Sequence, residues 1–154
     1  MARTRLIVAT SVIGLLLFAA ASALAAKEIT ATDFSNSRSY SSAVSTEGGK
    51  IVWLAGEVAV KDESGKSLAG DFEGQTRAIF ASIEKTLAQH QGNLSDIVYM
   101  TAYITDARFG DRFVEIRKEI FKQNFPASTL VTVSGLSTPV MLIEVSTVAV
   151  IGSK

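Results

Sequence analysis

Glu144 has the clearest chemical potential in this chain, because it interrupts an apolar run with Val140 to Ile143 before it and Val145 after it. A carboxylate in such surroundings needs a hydrogen-bonding partner or a raised pKa, and either suits an acid that positions water. The same residue would equally serve as a subunit-interface carboxylate bonded to Thr or Ser hydroxyls. Further back, Phe125-Pro126-Ala127-Ser128-Thr129 leads into a strand and offers two hydroxyl donors. Arg38 and Tyr40 stand two residues apart in a polar segment; a cation there either clamps an anion or is simply solvated. His90 is the sole histidine and there is no cysteine, so thiol catalysis and thiolate metal sites are excluded. A Ser-His-Asp triad would have to be built on His90, which falls at the expected end of a helix where the dipole favours a cation. Asp106, Asp111 and Glu115 are too scattered for a metal cage, and no phosphate loop or dinucleotide fingerprint is present. No cofactor or metal is expected.

The elements that must position these residues follow from periodicity. Residues 33–39 read as an irregular entrance, 41–46 as a first core strand, Gly48-Gly49 as a turn and 50–60 as the next strand. After a charged loop at 61–70, Asp71 is a good N-cap for a helix to about His90, with Phe72, Ile79, Phe80, Ile83 and Leu87 at helical spacing. Gly92 is expected to end it in a left-handed conformation. Residues 96–106 alternate as a strand, with Val98, Met100, Ala102 and Ile104 on one face and Tyr99, Thr101 and Tyr103 on the other. A second helix spans 110–122, with Phe113, Ile116, Ile120 and Phe121 in a stripe. Strands at 127–134 and 140–151 close the domain. The order β-β-α-β-α-β-β predicts an α+β sandwich, one mixed sheet with two helices on one face. Both faces of the last strand are largely apolar, so the uncovered face needs a partner, and self-association is expected.

The N-terminus reads as a targeting segment. Arg3 and Arg5 precede an apolar stretch from Leu6 to Ala20, and Ala23-Leu24-Ala25 gives a small-x-small cleavage pattern. Residues 1–25 are therefore expected to be a signal peptide, with an uncleaved anchor as the competing reading, and residues 26–154 the folded domain. Location is then periplasmic or secreted, with no membrane contact after cleavage. The whole chain has 15 basic and 15 acidic residues; without Arg3 and Arg5 the balance is 13 to 15, a net charge of −2. Such a domain does not attract a phosphate backbone, and nucleic acid is not an expected partner.

Several stretches together resemble the Rid family (reactive intermediate deaminases, also called the YjgF family). They are Gly70-Asp71-Phe72 with Gln75-Thr76-Arg77, then Asp96-Ile97-Val98 with Thr101 and Tyr103-Ile104-Thr105-Asp106, then Pro126-Ala127 and Ile143-Glu144-Val145. No one piece is specific, but their order is, and the likeness runs from Phe34 to Val150. It implies the chorismate-mutase-like Rid fold, a homotrimer, and a small-molecule ligand in clefts between subunits. Deaminating members hydrolyse 2-imino or enamino acids to 2-oxo acids and ammonia without a cofactor. In them an arginine clamps the substrate carboxylate and a glutamate positions water.

Carried over by position, the resemblance gives Glu144 as the water-positioning acid and Tyr40 as the cleft tyrosine. Ala55, Gly56 and Glu57 match the family's small-Gly-Gln cluster, with an acid in place of the amide, and Val114 stands for its helical asparagine. Ser128 replaces the arginine, and Leu130 occupies the position of a cysteine or small residue. Losing a charged partner costs a few kcal/mol, or about two to four orders of magnitude in efficiency. Hydroxyls of Ser128 and Thr129 would then favour a neutral or less acidic ligand, unless Arg38 supplies the clamp from a neighbouring subunit. The reading is an exported Rid-like protein binding a small metabolite and acting on an imine or enamine. The alternative is a non-catalytic binding homotrimer; ribonuclease activity is disfavoured by charge.

Overall fold

The computed structural model describes residues 27–152, and the expected signal segment lies outside them. Strand β1 (Lys27–Thr30), helix α1 (Asp33–Ser37) and strand β2 (Ala43–Thr46) come first. Strand β3 (Lys50–Trp53) and the long helix α2 (Phe72–Gln89) follow. Then come β4 (Ile97–Ile104), α3 (Gly110–Phe121), β5 (Ala127–Thr132) and β6 (Ile143–Ile151). The main sheet has the order β3-β6-β4-β5, with β4 and β5 parallel and the other pairs antiparallel. Both helices pack on one face, as the periodicity predicts. Ile79, Ile83 and Leu87 of α2 and Phe113 and Ile116 of α3 bury completely against Met100, Ala102, Ile143 and Val145. Each such side chain contributes roughly 1.5–3 kcal/mol relative to exposure.

The helix starts where its cap is. Asp71 accepts the Gly74 amide at 2.8 Å, satisfying one of the unpaired donors of the first turn. Gln75, fully buried, fastens that turn to the sheet. Its Nε2 donates to the Leu68 and Val140 carbonyls at 2.9 and 2.8 Å, and its Oε1 accepts from the Leu142 amide at 2.9 Å.

Five details depart from expectation. The entrance is helical, because Thr32 and Ser35 form a reciprocal capping box around α1. The segment expected as the first core strand pairs instead with β1 in a separate two-stranded ribbon, which touches the main sheet through the Ser41–Ala127 bridge. The next strand ends at Trp53 and resumes only as a bridge between Glu57 and Val145; the Leu54 amide still donates to the Thr147 carbonyl at 3.0 Å, so Ala55 and Gly56 bow away from the ladder. At the end of α2 the left-handed residue is Gln91 (φ 68°) rather than Gly92. Gly92 is required for closeness instead: a Cβ there would stand 2.6 Å from Cδ1 of Ile151. Finally, a register shift between Ile97 and Tyr99 turns Ile97, not Val98, into the core.

The opposite face of the main sheet carries Ile51, Trp53, Tyr99 and Val131, all exposed, with Trp53 at 77%.

Candidate ligand site

The turn after α1 builds one wall of a cavity. Ser39 adopts a left-handed conformation (φ 54°) that a non-glycine residue takes at a cost of about 1–2 kcal/mol. Its hydroxyl, fully buried, donates to the Val114 carbonyl at 2.8 Å and thereby pins the turn to α3. Ser41 continues the attachment: its amide donates to the Pro126 carbonyl at 3.0 Å and its hydroxyl to the Phe125 carbonyl. Arg38 and Tyr40, either side of Ser39, are thereby held beside β5.

Between this turn, α3 and β5 lies a cavity of about 190 Å³. Five residues singled out in the sequence line it together: Arg38, Tyr40, Val114, Ser128 and Leu130. Phe34 and Arg117 complete the lining. The register explains the grouping, since Ser128 pairs with Met100 and Leu130 with Ala102, both on the helix-covered face.

Arg117 is the functional candidate that sequence reasoning missed. It is 3% exposed, with its guanidinium 5.0 Å from the Phe113 ring centroid. Nη1 donates to the Ser128 hydroxyl, Nη2 to the Arg38 carbonyl at 2.8 Å, and Nε to the Ser39 hydroxyl at 3.3 Å. Burial foremost, and then the charge of Arg38, push its pKa down to about 10, with Tyr40 acting weakly the other way. A signal was available: Arg117 falls four residues after Phe113 and one after Ile116, on the apolar stripe of its helix, where a solvated charge does not belong. Arg38 is less committed to the cavity, being 40% exposed and ion-paired to Asp111 at 2.9 Å.

The remaining sequence candidates lie elsewhere in the protomer. Glu144 pairs with Tyr103 and alternates with the buried Ile143 and Val145, so it faces the bare side of the sheet. Its carboxylate rests on Gly56, where a Cβ would come within 2.0 Å of Oε1. Ala55 is exposed beside it. Glu57 turns toward α2 and accepts from Ser82 Oγ at 2.8 Å, lining a groove with Lys61 and Lys85. Thr129 lies on the bare face near Tyr99, their hydroxyls 3.2 Å apart, so it and Ser128 point to opposite sides. Hydrogen bonds from Thr101 and Thr129 hold the Tyr99 hydroxyl below the usual tyrosine range. No cluster of three or more His, Asp or Glu able to hold a metal occurs among the described residues.

A bare-faced mixed sheet backed by two helices, with a cavity at its parallel edge, defines an α+β sandwich of the Rid/YjgF type. The chain belongs to that family: residues 30–151 match the family model described as Endoribonuclease L-PSP. A RutC family protein of Pyrococcus abyssi is 31% identical over 110 residues, covering 71% of this chain and 84% of that protein. Among solved structures, the Rid-family protein YyfB of Yersinia pestis superposes with a TM-score of 0.71 at 20% identity, covering 81% of this chain and 98% of that one. Rv2704 of Mycobacterium tuberculosis, of the YjgF/YER057c/UK114 family, has a TM-score of 0.59 at 26% identity, covering 82% and 100%.

Proposed function

We propose that the protein is an exported homotrimer that binds a small metabolite in clefts between subunits and hydrolyses an imine or enamine there. The observation that carries this reading is the convergence of Tyr40, Val114, Ser128 and Leu130, the positions matching the family's ligand residues, on one cavity. Sheet-to-sheet packing would cover the exposed Ile51 and Trp53 and turn the Glu144 face of one copy toward a neighbour. In hydrolysis Glu144 takes a proton from water as its oxygen bonds to the imine carbon. It passes that proton to nitrogen to give a carbinolamine, then takes the hydroxyl proton and delivers it to the same nitrogen as the C–N bond breaks, leaving a carbonyl and ammonia.

The test is to generate imines in the assay with an amino-acid oxidase and follow carbonyl formation. The parent should accelerate it over solvent, and Glu144→Gln should lower the gain by about two orders of magnitude, the usual scale for general acid–base catalysis. Equal rates with and without protein would end the enzymatic reading. A non-catalytic binding module is favoured by one observation: within a protomer, Glu144 and the cavity occupy opposite faces of the sheet. Binding without turnover would support that module. Endoribonuclease chemistry, named in the family description, is disfavoured by a net charge of −2 without the leader and by a lone histidine.

A further inference from the structure

Four of the five described arginines, Arg38, Arg77, Arg108 and Arg112, are partly exposed and ion-paired to carboxylates. Arg117 reverses both properties: it is the most buried, and no Asp or Glu among the described residues lies within ion-pair distance of it. Its only charged neighbour of note is another cation, Arg38. A guanidinium has five N–H donors, and neutral oxygens of Ser39, Ser128 and Arg38 occupy three, leaving one on each terminal nitrogen. A desolvated charge is costly without a counter-charge, and structural hydrogen bonding alone does not require a cation at this position.

We infer that Arg117 is the specificity-determining residue of the cavity and selects a small monocarboxylate, gripping it through the planar guanidinium fork. The cation of the site therefore stands on α3 instead of on β5, and Ser128 acts as a positioning residue whose oxygen orients Arg117. Tyr40 lines the cavity beside the anion, while Phe34 and Leu130 offer apolar walls to the rest of the ligand. At about 30 Å³ for each water-sized group, the cavity admits about six such groups, the size of a three- or four-carbon 2-oxo acid. On this reading the cavity favours an anion, where Ser128 in place of the strand arginine led to the expectation of a neutral ligand.

The inference rests on reading the cavity as the ligand site, and calorimetric titration with pyruvate and its neutral counterpart pyruvamide tests it. The parent should bind pyruvate at least ~10-fold tighter, a modest return for a charge-assisted pair. Arg117→Met should abolish that preference, and Arg108→Ala, at an exposed arginine outside the cavity lining, should keep it. If Arg117→Met fails to fold by circular dichroism, Arg117→Lys, which keeps the charge and loses the fork, should still lose most of the preference. Equal affinity for the two probes in the parent, no pyruvate binding at millimolar concentration, or a preference untouched by either Arg117 substitution overturns the assignment. Imine turnover reads separately: its absence beside an intact pyruvate preference removes only the hydrolytic reading, and turnover without that preference removes only the anion site.

Discussion

Arg117 holds a proton at neutral pH in a place that disfavours it. Burial lowers its folded-state pKa to about 10, so above that value the unfolded chain retains the proton longer and stability rises with pH. Below about pH 10 the cost of the buried cation is present in full, roughly 3 kcal/mol. A bound anion offsets that cost, which ties affinity to the same proton. Affinity for pyruvate should be flat from neutrality to about pH 9 and fall as Arg117 deprotonates through about pH 10, as measured by calorimetry. The other groups facing the guanidinium are Tyr40 and Arg38, the latter balanced by Asp111. Tyr40→Phe should retain the fall; a flat profile in that variant would assign it to the phenol. At this scale the sequence made Tyr40, Val114, Ser128 and Leu130 legible through resemblance. It hid Arg117, because a basic residue in a charged helix looks solvated until the apolar stripe is traced through it. The opposite orientation of Ser128 and Thr129 was legible in strand alternation.

Among the elements, the helices and the alternating strands declare themselves through apolar spacing, since the residues that repeat at 3.6 or 2 are those buried on one face. The ribbon did not. Lys27–Thr30 is short, carries Ile29 as its one apolar residue, and its pairing with β2 depends on a partner more than ten residues away. It is also fastened by its first side chain, with Lys27 Nζ donating to the Ser95 and Ile97 carbonyls at 2.8 and 3.4 Å. Burial lowers the Lys27 pKa, with Asp96 acting the other way. The short turn between α1 and β2 matters most for the site, because one hydroxyl holds both Val114 and Arg117. Ser39→Ala should cost about 2 kcal/mol, leaving a buried carbonyl and a guanidinium N–H short of partners. Thermal denaturation would read this as a drop of roughly 5–10 °C, and pyruvate affinity should weaken with it. An unchanged melting temperature would show that the turn is held by its backbone bonds alone.

For the molecule as a whole, the bare sheet face sets the expectation of assembly. Trp53 and Ile51, 77% and 57% exposed on the edge strand, lie where a copy of the same surface would bury them. Trp53→Asp should shift the protein toward single protomers at micromolar concentration while leaving its circular dichroism unchanged, with sedimentation velocity as the measurement. A parent that already sediments as one protomer would remove the trimer. On this face β6 itself carries Glu144 and Ser146 as well as Val148 and Val150, so the exposed apolar surface rests chiefly on β3, and the symmetry of an assembly is not encoded in one chain's pattern.

The contact of Glu144 with Gly56 carries a constraint on how this protein can change. A side chain at position 56 would displace the Glu144 carboxylate, which already occupies the volume a methyl group would take. Each position thus limits what the other can become, and drift at either one is conditional on its opposite. A lineage that enlarged residue 56 would swing residue 144 aside or shorten it, so a change at the glycine is felt first as a new position for the acid.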